Sequence, residues 1–112
     1  MAIVRKEGAE NILYVANIGD TRAVLSKSGT AERMSVDDKC DHPGENSRVK
    51  AGGGIILDNR LGGVLAVTRA FGDHALTRVG LIATPHIVKQ TVKVMDKYLV
   101  IASDGIWDEL SD

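Results

Sequence analysis

The chain has 112 residues, 44% of them hydrophobic and 26% charged, which is ordinary globular composition and enough apolar material for one packed core. A net charge of −1 gives no electrostatic case for nucleic acid or an anionic membrane, and only 4% aromatic residues argue against base-stacking platforms. The single Cys40 rules out an internal disulfide framework and fits a reducing, cytoplasmic or nuclear compartment, while no apolar run is long enough for a signal peptide or a bilayer span.

The predicted elements are mostly strands. The first is Ala2–Arg5. Asn11–Ala16 and Arg22–Ser26 are two apolar runs around a polar turn, a pattern that predicts a β-hairpin with Gly19-Asp20 at its tip. Ser28-Gly29 is a turn signal leading to a strand at Ala31–Met34. The one full helix is predicted over Pro43–Ala51, with Pro43 in its first turn and Gly52 just past its end. Strands follow at Ile55–Leu57 and Val64–Val67, with Gly62-Gly63 as a hairpin tip, and then one helical turn at Arg69–Ala70 closed by Gly72. His74–Ala83 has mixed polarity and is expected to wrap the surface. Val88–Val92 and a buried apolar strand, Tyr98–Ala102, complete the set.

The last strand breaks into Asp104-Gly105, and a second carboxylate follows at Asp108. Four-residue spacing puts both aspartates on one side of a first helical turn. A carboxylate at the end of a buried strand is expensive unless a cation or a donor meets it, and two together suit a hard ion such as Mg or Mn. The same residues also read as an Asp N-cap with a surface Asp one turn later, and Gly19-Asp20 reads equally as turn chemistry. Cys40-Asp41-His42 resembles half a zinc site, but there is no second cysteine to complete it. Gly52-Gly53-Gly54 is not a phosphate loop, since no Lys-Ser or Lys-Thr follows.

Five motifs run through the chain in order. Val15 to Ala23 matches V-A-N-x-G-D-S-R-A with Thr21 in place of Ser. Glu45, Arg48 and Val49 match E-x-x-R-[IV], with Gly52-Gly53-Gly54 after them. Leu65 to Asp73 matches L-A-V-[ST]-R-A-[FL]-G-D, Ile82 to Pro85 matches I-x-x-P, and Ala102 to Asp108 matches A-S-D-G-[LI]-W-D. Taken together, these motifs resemble the metal-dependent protein serine/threonine phosphatases of the type 2C family, and the resemblance runs from about Ile12 to Ser111. Asp37-Asp38-Lys39-Cys40 departs from that family's usual D-H-K-P.

The resemblance implies an α+β fold, part of an α/β/β/α sandwich of antiparallel sheets, β-rich with few covering helices. It implies hydrolysis of phosphoserine and phosphothreonine on proteins by a water activated between two Mg or Mn ions. By the same resemblance Asp104 is a ligand to the central metal pair, Asp20 and Asp108 join it around a further, weaker ion, and Asp73 borders a flap beside the substrate groove. Arg22 and Arg69 are expected to form structural salt bridges rather than to touch phosphate. The family's acidic D-G-H-G motif and its phosphate-holding Arg are not found in these residues. Residues 1–112 therefore read as a single partial phosphatase 2C-like domain, truncated at both ends, and inactive or weakly active alone. The partner implied is a phosphoprotein substrate, and incomplete sheets suggest a homodimer through exposed edges. A non-catalytic, phosphatase-like binding or regulatory module is the alternative, although such a module would have no physical reason to keep three costly carboxylates.

Overall fold

The computed structural model describes residues 1–112, and the chain divides into two compact units. The first comprises Met1–Asn17, Thr21–Val36 and His86–Asp112; the second comprises Ile18–Asp20 and Asp37–Pro85.

The first unit holds two antiparallel sheets. Strands β1 (Ala2–Glu7), β2 (Glu10–Asn17) and β7 (His86–Val92) form one in the order β1-β2-β7. Strands β3 (Arg22–Lys27), β4 (Thr30–Arg33) and β8 (Leu99–Ala102) form the other in the order β4-β3-β8. Each central strand carries the apolar residues that its neighbours cover. Leu13 and Val15 of β2 cluster with Ala23 and Leu25 of β3 and with Met34, and Val88, Val92 and Leu99 pack against them. Both sheets thus bury one face in a shared core, which is the sandwich arrangement. Polar groups at the rim of this core are paired. The Asn17 side-chain amide donates to the Val36 carbonyl at 2.6 Å and accepts from the Val36 N–H, and Ser35 Oγ accepts the Ala23 N–H at 2.9 Å.

The second unit is built around helix α1 (Pro43–Ala51). Pro43 starts it, Glu45 lies in the first turn, and Arg48 and Lys50 lie in the last, all complementary to the helix dipole. Its end is a Schellman motif. Gly53 takes φ +75° and donates to Lys50 O, and Gly54 donates to Val49 O at 2.8 Å. Val49 packs with Cys40, Leu61 and Leu81, joined by Ile56, Leu65, Leu76 and Val79. A short hairpin, β5 (Ile56–Leu57) and β6 (Arg60–Leu61), and a 3-10 helix, His74–Val79, complete this unit. No helix of the chain is long and apolar enough to cross a membrane.

Several expectations are corrected. The runs Asn11–Ala16 and Arg22–Ser26 are strands, but they do not pair as a hairpin: β2 pairs with β1 and β7, and β3 with β4 and β8. The tip of the β5–β6 hairpin is Asp58-Asn59, with φ of 49° and 56°, rather than Gly62-Gly63. These left-handed dihedrals at both loop positions make the tight turn that matches strand twist, and Asp and Asn tolerate them better than most residues. Gly62-Gly63 makes a second reversal that brings Leu65 back against Leu61. Val64–Val67 is not a strand: Leu65 and Val67 form isolated bridges to Leu61 and Lys39. Arg69–Ala70 is not a helical turn either, because Arg69 bridges to Ile82. Finally, the Tyr98–Ala102 run is not buried. β8 is a sheet edge, and Tyr98, Val100 and Ile101 are exposed.

Candidate functional site

The Asp104 carboxylate is placed by the end of β8. Arg22 of β3 pairs with Ala102, the last residue of β8, and the short helix α2 (Asp104–Trp107) begins two residues later. Ser103 occupies the N-cap, so Asp104 is the first helical residue and not the cap itself. The N–H of Asp108 donates to the Asp104 carbonyl at 2.8 Å, which fixes the two aspartates one helical turn apart. Asp104 is half-buried and Asp108 exposed. The indole of Trp107 folds the helix back on its own strand by donating from Nε1 to Ala102 O at 2.8 Å. The Arg22 guanidinium lies 5.2 Å from the centre of that indole, within cation–π reach. Arg22 also pairs with Asp112 at 2.7 Å, and Arg33 grips the same carboxylate. Arg33 and then Arg22 hold the Asp112 carboxyl below its ordinary range, against the opposing effect of partial burial. Arg22 is thus a structural residue, as expected.

Asp20 lies in the second unit, half-buried, in the bend Ile18-Gly19-Asp20. Asp73 lies in that unit too. It is exposed, takes a left-handed backbone (φ 46°, ψ 41°) and starts the 3-10 helix, accepting the Leu76 N–H at its carbonyl at 2.8 Å. Within one unit the structure therefore brings Asp104 and Asp108 together.

The strongest electrostatic feature is a cluster around Glu45 that the spacing of motifs announces only in part. Glu45 is buried on the inner side of α1. Its Oε1 accepts from Arg69 Nη2 at 2.6 Å; its Oε2 accepts from Arg69 Nε at 3.0 Å, Thr68 Oγ1 at 2.6 Å, and both Nε and Nη2 of Arg48. Burial by itself would raise the Glu45 carboxyl, but these hydrogen bonds from Arg69, Arg48 and Thr68 prevail and lower it from 4.5 to about 2. The same Glu45 bonds raise the Arg69 guanidinium, against burial. Arg48 and Arg69 also donate to Gly80 O and Thr84 O, so the cluster fastens α1 to the segments around Thr68 and Gly80. Arg69 is a structural salt-bridge residue, as expected. The E-x-x-R spacing shows the Glu45–Arg48 contact in the sequence. The contact to Arg69, 24 residues away, has no local signal. Cys40 belongs to the core of this unit, and burial pushes its thiol up.

Fold and site together define a β-rich α+β protein built on antiparallel sheets, with a carboxylate pair at a strand–helix junction. The family model described as "Protein phosphatase 2C" matches residues 1–112. Among similar proteins, "Probable protein phosphatase 2C 52" of Oryza sativa subsp. japonica is 44% identical over 101 residues, covering 88% of this chain and 20% of that protein. "Protein phosphatase 2C homolog 1" of Saccharomyces cerevisiae is 38% identical over 100 residues, covering 89% of this chain and 35% of that protein. The crystal structure of serine-threonine phosphatase 2C from Toxoplasma gondii superposes with a TM-score of 0.78 at 27% identity, over 98% of this chain and 42% of that one. The chain thus spans less than half the length of each of these relatives. It belongs to the protein phosphatase 2C family.

Proposed function

We propose that this chain carries part of the carboxylate set of a Mg- or Mn-dependent protein serine/threonine phosphatase, with Asp104, Asp108 and Asp20 as metal ligands. The observation that carries the reading is the strand–helix junction, where Asp104 opens α2 and Asp108 follows one turn later. The donor set fits the ion class, because carboxylate oxygens suit hard divalent cations. When bound, such ions acidify a water and neutralise charge on a phosphoryl group. The chain's own contribution is to hold the carboxylates in place: Trp107 and Arg22 fix α2 against the end of β8. Asp73 is assigned a place beside the substrate groove, and the substrate is a phosphoprotein in the cytoplasm or nucleus.

Residues 1–112 are treated as one phosphatase 2C-like segment with a partial ligand set. Affinity for hard ions follows the number and geometry of carboxylates, so the isolated 112-residue chain should bind Mn weakly and turn over phosphopeptide little or not at all. The experiment is hydrolysis of a phosphothreonine peptide by this chain with and without millimolar Mn, beside Asp104→Asn. Turnover at or near background is the expected result; any turnover above it should need Mn and vanish in the variant. Turnover that ignores Mn, or survives Asp104→Asn, would overturn the reading.

A further inference from the structure

Asp20 is flanked by Gly19, whose φ of +89° lies in the left-handed region. Glycine has the greatest backbone freedom of any residue, so a ligand beside it is loosely placed unless something external fixes the bend. Asp38 supplies that restraint. Its side chain is fully buried. The Gly19 N–H donates to Asp38 Oδ2 at 2.9 Å, and the Asp38 N–H donates back to the Gly19 carbonyl at 3.0 Å. Both backbone groups of Gly19 are thereby tied to one residue. Asp38 is in turn held from behind. Its carbonyl accepts from the Thr68 N–H at 2.7 Å and from Thr68 Oγ1 at 3.1 Å, and its Oδ1 lies 3.4 Å from Arg69 Nε. Thr68 and Arg69 are the residues that Glu45 grips. A continuous chain of contacts therefore runs from α1 through Arg69 and Asp38 to the backbone that carries Asp20.

We infer that Asp38 is a positioning residue for Asp20: its buried carboxylate and backbone N–H clamp Gly19 so that the neighbouring carboxylate is held ready for a divalent cation. The inference rests on the proposed metal role of Asp20. Groups that orient a metal ligand matter to affinity although they never touch the ion; their removal commonly weakens binding roughly 10- to 100-fold.

The test is a double-mutant cycle on Mn affinity, using the full 112-residue chain and Mn alone as the probe. Asp38→Ala should weaken Mn binding by roughly 10-fold or more in the wild-type background. It should have no further effect in the Asp20→Asn background, because the ligand it positions has gone. Asp38→Asn keeps an acceptor for the Gly19 N–H and should recover most of the affinity. A purely structural Asp38 predicts the same fold-loss in both backgrounds, or none in either, and that additivity would overturn the inference while leaving the phosphatase reading intact. Wild-type chain that binds no Mn would overturn both. A further measurement needs no variant and guards against an Asp38→Ala chain that does not fold. In the wild type, the Gly19 amide should exchange with solvent far more slowly than that of Gly29, an exposed turn glycine. Equal exchange would show that the clamp is not formed.

Discussion

Replacing Glu45 by Gln keeps the side-chain volume and removes the anion that Arg48 and Arg69 share. In the folded chain burial opposes the charge, hydrogen bonds from Arg69, Arg48 and Thr68 outweigh it, and the carboxyl falls from 4.5 to about 2. At about 1.36 kcal/mol per pH unit, that depression corresponds to about 3 kcal/mol of stability at neutral pH. Glu45→Gln should therefore cost about 3 kcal/mol, in line with the ~3–5 kcal/mol lost when one partner of a buried ion pair is removed. The folded value lies below the unfolded one, so the contribution is complete above about 4.5 and is lost as pH falls towards 2. Urea unfolding of wild type and variant across that range is the assay. The difference between them should be full at neutral pH and shrink steadily through the acid limb. A loss under about 1 kcal/mol at neutral pH, or a difference that does not change down to the folded pKa, would refute the reasoning.

Three further outcomes follow from packing. Trp107→Phe removes the Nε1 donor to Ala102 O and weakens the stack under Arg22; it should lower stability by about 1–2 kcal/mol in urea unfolding. A Cβ at Gly54 would collide with the Val79 carbonyl oxygen and lie 2.7 Å from Val49 Cγ1, so Gly54→Ala should destabilise by about 1–3 kcal/mol. Gly44→Ala is its control, because there a Cβ meets only the His42 imidazole, at 3.3 Å, and helix propensity is gained. β8 is a sheet edge with exposed Val100 and Ile101, and β1 is another with exposed Ile3 and Val4. On the proposal that such edges pair between copies, sedimentation at micromolar concentration should show a dimer, and a monodisperse monomer would contradict it.

The helix α1 was legible because Pro43 and Gly52 mark its ends and both signals are local. Strands β2, β3 and β7 were legible as apolar runs, yet their partners were not. Side-chain alternation says which face of a strand is buried and is silent on which neighbour lies beside it. That is why two successive runs read as a hairpin when they belong to different sheets. The Leu65–Val67 run has strand composition, but its backbone finds only single bridges within its unit. The exposure of β8 was hidden for a related reason, since an apolar sequence does not reveal what covers it.

At the candidate site, the four-residue spacing of Asp104 and Asp108 was readable because helical geometry alone sets it. The clamp of Asp38 on Gly19 and the grip of Glu45 on Arg69 were not, since both join residues far apart in sequence. Asp38 appeared only as a departure from the D-H-K-P pattern, yet it is fully buried, hydrogen-bonded to Gly19 and Thr68 and ion-paired with Arg69.

The central claim is that the aspartates at the β8–α2 junction hold a divalent cation, and titration with Mn tests it most directly. Amide signals of isotope-labelled chain are followed by NMR, in wild type and in Asp104→Asn. The account predicts paramagnetic broadening centred on Asp104 and Asp108 at millimolar Mn, lost in the variant. Broadening scattered over all exposed carboxylates, or unchanged by Asp104→Asn, would contradict it.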